Sequence, residues 1–116
     1  MQALRWDDIP REKLSNTVER QVVWGERATL ARFFLGKGTY VARHSHESEQ
    51  FTSVLAGAVK LDVGGKEVVV RPGETLVIPA WVEHEAWALE DTEVLDFFAP
   101  PRDDWRAGQH QYLQGK

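Results

Sequence analysis

The sequence predicts an all-β fold, a single-domain jelly-roll barrel (double-stranded β-helix), and three observations carry that prediction. Short runs rich in β-branched and aromatic residues recur along the chain, with Gly, Pro and Asp turn residues between them. Gly64-Gly65 sits between two such runs, and two glycines that can both take positive φ are a strong hairpin signal. The length, 116 residues, suits one core. Size scaling lets such a chain bury roughly two-thirds of its unfolded surface and leaves no room for a second domain, so residues 1–116 are expected to form one.

Val18 to Trp24 is the first run, closed by Gly25-Glu26. Arg27 to Leu35 follows and ends at Gly36-Lys37-Gly38. Thr39 to His46 is the third run, and Gln50 to Ala56, stopped by Gly57, the fourth. Ala58 to Val63 and Lys66 to Arg71 flank the Gly-Gly turn. Pro72-Gly73 turns the chain into Glu74 to Pro79, and His84 to Glu90 and Glu93 to Ala99 are separated by Asp91-Thr92. Residues 7 to 15 and 101 to 114 lack this pattern and are expected to be helical or irregular. The two ends of the chain carry large apolar residues (Trp6, Ile9, Leu14; Trp105, Tyr112, Leu113), so these extensions are expected to pack on the barrel or across a dimer. At least eight short strands in about 80 residues leave many edges, which two facing sheets or a closed barrel would hide. The barrel interior is then the place for a ligand.

The formal charge of -4 argues against nucleic acid or an anionic membrane as a partner, since both demand a basic face. Without cysteine there is no disulfide framework, zinc ribbon, thiol nucleophile or iron–sulfur site. The first residues show neither the apolar run nor the small-residue cleavage site of a secretory signal, and nowhere do 18 apolar residues run together. A soluble cytoplasmic protein is the expectation. Metal or acid–base chemistry is left to carboxylates, amides and four histidines.

Three of those histidines fall where a barrel would bring them together. His44 and His46 are two apart on a predicted strand and so share a face; His84 opens a later strand. Such a set is a facial group of neutral nitrogen donors that suits a divalent first-row metal and leaves positions open for water or substrate. Alone, a His-x-His pair is as a rule solvent-exposed or internally satisfied. The surrounding spacing decides for the metal.

That spacing resembles the cupin family. In residues 38–57, Gly38 is followed by five residues, His44-Ser45-His46, three residues, Gln50, six residues and Gly57. In residues 73–88, Gly73 is followed by five residues, Pro79-Ala80-Trp81, two residues and His84. The resemblance implies a cupin barrel with His44, His46 and His84 as metal ligands. Two positions depart from the family pattern: Gln50 stands where a Glu is usual, and Trp81 where a Gly is usual. Glu47 and Glu49 are rival ligands, but strand parity puts 44, 46, 48 and 50 on one face and 47 and 49 on the other, which favours the Gln50 amide oxygen. A neutral Gln leaves the dication uncompensated, which weakens its binding, strengthens it as a Lewis acid and disfavours redox chemistry. Manganese, iron, nickel, cobalt and zinc all suit this donor set. Trp81 either packs or lines the mouth of the site.

After the last strand the chain closes on Asp96, Phe98, Pro100 and Arg102 in an Asp-x-Phe-x-Pro-x-Arg pattern. Together with the N-terminal run from Trp6 to Trp24, this resembles the KdgF-like small cupins of pectin degradation. The resemblance implies a homodimer that linearises 4,5-unsaturated uronates, the sugars released by polysaccharide lyases, to 5-keto-4-deoxyuronate. Asp96 would shuttle the proton, Arg102 would hold the sugar carboxylate and Phe98 would pack against the ring. Two readings of Asp96 stand, a carboxyl facing the cavity or an exposed strand residue. Arg102 likewise either faces substrate or forms a surface ion pair with Asp103 or Asp104. Trp24 and Trp87 read as core aromatics, and His110 as a tail residue. A quercetinase-like cupin dioxygenase and a non-catalytic sugar- or metal-binding cupin are the alternatives.

Overall fold

Alternation of inward and outward side chains, two residues per repeat, organises the described residues into ten strands. They are β1 (Glu12–Lys13), β2 (Val18–Trp24), β3 (Thr29–Leu35), β4 (Tyr40–His44), β5 (Glu49–Ala56), β6 (Val59–Val63), β7 (Lys66–Val70), β8 (Thr75–Ile78), β9 (His84–Ala88) and β10 (Thr92–Ala99). A 3-10 turn at Trp6–Asp8 precedes them; a one-turn helix, α1 (Asp103–Arg106), and a second 3-10 turn at Gln111–Gln114 follow. The structure is a computed structural model and describes residues 1–114. Strands β2 to β10 correspond one to one with the nine predicted runs. One sheet has the order β1-β2-β3-β10-β5-β8 and the other β4-β9-β6-β7, every pairing antiparallel. The all-β jelly-roll prediction holds.

Three local departures from the sequence reading have physical reasons. The second predicted run begins at Thr29 rather than Arg27, because the Gly25 N–H donates to Ala28 O (2.9 Å) and closes the hairpin turn there. The third ends at His44, where the chain leaves the ladder. The segment 7 to 15 is not wholly irregular, since β1 pairs with β2 through Glu12↔Arg20 and Lys13↔Glu19. Gln21 anchors the same segment by donating to Trp6 O and Ile9 O, both at 2.8 Å.

Gly57 shows why one turn tolerates no side chain. Its φ is +83°, and a Cβ there would lie 2.3 Å from Asp91 O. That close approach brings the end of β5 against the start of β10. After a register shift between Glu93 and Val94, Val94 faces Val54, Asp96 faces Thr52 and Phe98 faces Gln50. The core lies between the sheets, with Val18, Phe33, Val54, Val59, Val70 and Val94 buried in it. Each fully buried side chain of this kind contributes about 1.5–3 kcal/mol.

Candidate metal centre

The register brings the three histidines to one end of the barrel. His44, the last residue of β4, is the direct partner of His84, the first residue of β9, after an irregularity that begins at Val41. His46 follows in the β4–β5 connection, outside any strand, yet the alternation continues through it. His46, Ser48 and Gln50 are buried while Ser45, Glu47 and Glu49 are exposed. Two hydrogen bonds hold this connection inward: Trp81 N–H to His46 O at 2.8 Å and Ser48 Oγ to Pro100 O at 2.6 Å. The ligating nitrogens that His44, His46 and His84 offer lie within 4.8 Å of one another.

Each imidazole is locked in the same tautomer. Nδ1 of His44 lies 2.7 Å from Ala42 O, Nδ1 of His46 2.8 Å from Ser48 O, and Nδ1 of His84 2.9 Å from Val82 O. A carbonyl only accepts, so each Nδ1 carries the hydrogen and each Nε2 keeps a bare lone pair. His84 Nε2 is buried with no hydrogen-bond partner. His46 Nε2 sits 3.1 Å from Gln50 Oε1, a second lone-pair atom. The Gln50 amide is oriented by its own NH2, which donates to Thr52 Oγ1 (2.9 Å) and Asp96 Oδ1 (3.3 Å). Converging lone pairs with no donor between them fit a divalent cation. Burial keeps the ligands neutral: it pushes His44 down to about 3, with help from His84, and His46 down to about 4, with help from Arg102. His84 is lowered by burial as well.

Asp96 faces inward, with 8% of its surface exposed. Burial raises its carboxyl to about 6, against the opposing pull of Thr52, Gln50 and Arg102. Phe98 stands edge-on to the His46 ring, with centroids 5.7 Å apart. Arg102 is 2% exposed and lines the same cavity. Its partner is Asp104, held in a two-point pair (Nε–Oδ1 2.9 Å, Nη2–Oδ2 2.7 Å), so the expected ion pair exists, with its Arg102 side buried and its Asp104 side 33% exposed. Asp103 pairs weakly with Arg106 instead, at 4.0 Å.

The tail completes the site in a way that no motif announced. Trp105 and Leu113 are buried, and Tyr112 stacks on His44 with ring centroids 4.0 Å apart at 23°. Thr52 and Ser48 were readable by parity with Gln50; for Trp105 and Tyr112 the only signal was large aromatics in an unpatterned segment. Trp81 adopts φ +63°, the left-handed region that explains why glycine is usual there, and its side chain is 67% exposed. It lines a surface recess beside His46. Trp87 and Trp24 are not core residues: Trp87 is partly exposed and packs on Tyr40 (5.5 Å) and Lys60 (4.7 Å), and Trp24 lies under Arg106 (4.1 Å). His110 lies in the tail, outside the histidine group. Among the described residues no helix is long and apolar enough to cross a membrane.

Comparison with known proteins agrees with this geometry. The Cupin domain family model matches residues 31–98. An uncharacterised protein of Streptomyces coelicolor is 27% identical over 103 residues, covering 87% of this chain and 98% of its own. The structure of KdgF from a Halomonas species superposes with a TM-score of 0.80 at 27% identity, covering 85% of this chain and 93% of that one. An RmlC-like cupin from Shewanella frigidimarina also reaches 0.80, at 23% identity and with 85% and 90% coverage. A variant of oxalate decarboxylase OxdC from Bacillus subtilis shares the fold (TM-score 0.74, 17% identity); the match covers 84% of this chain and 29% of that one. The matched family model covers more than half of the chain, and the chain belongs to the cupin family as a small cupin resembling KdgF.

Proposed function

We propose that the protein is a metal-dependent enzyme that linearises 4,5-unsaturated uronates to 5-keto-4-deoxyuronate. The observation that carries this reading is a group of three neutral imidazoles with ligating nitrogens within 4.8 Å of one another, two of which, His44 and His84, line one cavity with a buried carboxyl and a buried guanidinium. Similarity to KdgF, over 93% of that chain, supports it. His44, His46, His84 and the Gln50 amide oxygen would hold the ion, whether Mn, Fe, Ni, Co or Zn. When bound, a divalent ion supplies Lewis-acid polarisation of a substrate oxygen.

The remaining chemistry falls to side chains. The reaction is an isomerisation: the C1 hydroxyl proton leaves as the ring C1–O bond opens, and a proton arrives at C4 as the enol becomes a ketone. A single carboxyl that takes the first proton and delivers the second closes the balance, and Asp96 has the position and the raised pKa, about 6, for it. Arg102 offers the charge-assisted contact a sugar carboxylate needs. Phe98 presents an apolar edge to the ring and keeps water from the opening bond.

We assign the protein to the cytoplasm as a homodimer. The outer face of the larger sheet supports the dimer: Phe97, Phe51 and Val77 are register partners in one cross-strand row and all stand exposed, with Leu30 next to Phe97. Monomeric sedimentation at micromolar concentration would remove that assignment. The reaction itself is tested by incubating the metal-loaded protein with unsaturated galacturonate. The conjugated-enol absorbance should disappear faster than in the spontaneous reaction, whereas a dioxygenase or a binding-only cupin gives no acceleration.

A further inference from the structure

The proposed reaction makes no use of Tyr112, yet its side chain lines the cavity beside Arg102 and Trp105. Its ring lies nearly parallel to His44, and its phenol oxygen accepts hydrogen bonds from two buried donors: Trp105 Nε1–H at 2.8 Å and Arg102 Nη2. Both donors are rigidly mounted. Trp105, 4% exposed, is clamped edge-to-face between Phe33 (5.9 Å) and Phe98 (5.1 Å), with the Arg20 guanidinium 4.5 Å above its ring. Arg102 is fixed by its two-point pair with Asp104.

With Tyr112 and Leu113 in place, the space left in the cavity is only about 60 Å³. Ligand pockets usually offer about 300–1,000 Å³. A sugar therefore does not enter the closed form, and the tail must move. It can do so without disturbing a strand: the backbone hydrogen bonds of Gly108, Gln109, His110 and Leu113 run to Trp105, Asp104, Gly108 and His110, all within the tail. Gly108 provides a turn at φ +81°.

Departure of the phenol would leave two buried N–H donors without partners, each costing about 1–3 kcal/mol. Whatever displaces Tyr112 must return acceptor oxygens to the same point. A carboxylate does this best, because its two oxygens offer about four lone-pair sites. We propose that the Tyr112 phenol fills, in the closed chain, the place of a ligand's carboxylate between Arg102 and Trp105, and that the carboxylate enters by displacing Tyr112 and its tail. The aromatic ring on His44 then marks where the ligand's six-membered ring lies. The uronate and the Arg102 contact to its carboxylate rest on the function proposed above; Trp105 as the second donor and Tyr112 as the group displaced follow from the hydrogen bonds at the phenol.

The test uses the full chain loaded with zinc, a diamagnetic ion, and follows the indole Nε1–H signal of Trp105 by NMR, assigned with Trp105→Phe. The probes are glucuronate, which lacks the reactive enol, benzoate as a ring carboxylate that is no sugar, and neutral methyl glucoside. Both carboxylates should move the Trp105 signal, and methyl glucoside should not. Tyr112→Phe keeps the ring and removes the competing oxygen, so it should bind glucuronate about tenfold tighter, the worth of one hydrogen bond of about 1.4 kcal/mol. A response to benzoate without one to glucuronate upholds the displacement of Tyr112 and removes the uronate. Silence towards both carboxylates, or a carboxylate affinity that Tyr112→Phe does not raise, overturns the proposal.

Discussion

The two ends of the barrel interior are built on the same strands and have opposite chemistry. On β10 the inward residues run from Val94 through Asp96 to Phe98; on β5 they run from Val54 through Thr52 to Gln50; on β9 they run from Ala88 to His84. One end is packed hydrocarbon, which stabilises by removing apolar surface from water. At the other, imidazoles, an amide and a carboxyl are buried side by side, and His84 Nε2 has no hydrogen-bond partner. Burying such groups without partners costs stability. The apolar end carries the fold so that the polar end can hold its lone pairs ready, and substitutions at the two ends should therefore fail in different ways.

The largest effect is expected at the polar end. His46→Ala should abolish bound metal, read by elemental analysis, together with uronate turnover; unchanged metal content would break the ligand assignment. Asp96→Asn should keep the metal, because its carboxyl meets the site only through Gln50, and should lower turnover by about a hundredfold or more. Full activity in that variant would end the proton-shuttle role. At the opposite end the signature reverses. Leu35→Ala, beside Thr92 at the far end of β10, should cost about 2–5 kcal/mol in chemical denaturation while metal stoichiometry stays at that of the parent.

Much of this division was legible in the sequence. Parity alone placed His44, His46, Ser48 and Gln50 on one face, and the structure keeps that alternation through a connection that is not a strand. Parity left Asp96 open between the cavity and the surface; in the structure it is buried, opposite Thr52. The motif spacing marked Trp81 as a glycine position, and the left-handed backbone there supplies the reason. What could not be read is what the tail covers. Trp105 and Tyr112 carry no periodicity, and their place depends on a three-dimensional fit to Arg102 and His44. Trp24 and Trp87 show the converse error, since aromatic character on a strand does not say which face is buried.

The smallest effect concerns acid. In the metal-stripped protein His44, His46 and His84 have lowered values when folded, so below about 6.5 the unfolded chain takes up protons that the folded chain refuses. Stability falls as pH drops through that range. Asp96 acts in the opposite sense: raised to about 6, it gains a proton in the folded chain first, a contribution lost as pH rises through 6. Three histidines against one carboxyl leave a net loss on acidification, to be read as a falling Tm between pH 7 and 5. A Tm that rises over that interval would mean that the imidazoles are not buried as described.

The claim on which the rest depends is that three Nδ1–H imidazoles aim bare Nε2 atoms at one point. Nitrogen-15 NMR of the histidine rings, with zinc titrated into the metal-stripped chain, tests it most directly. The account predicts three neutral Nδ1–H rings at pH 6.5, where an ordinary histidine is half protonated, whose Nε2 signals all shift and saturate at one zinc per chain while the fourth, His110, does not follow them. Nε2–H tautomers, protonation near the ordinary histidine value, or zinc shifts that spare any of His44, His46 and His84 would contradict it.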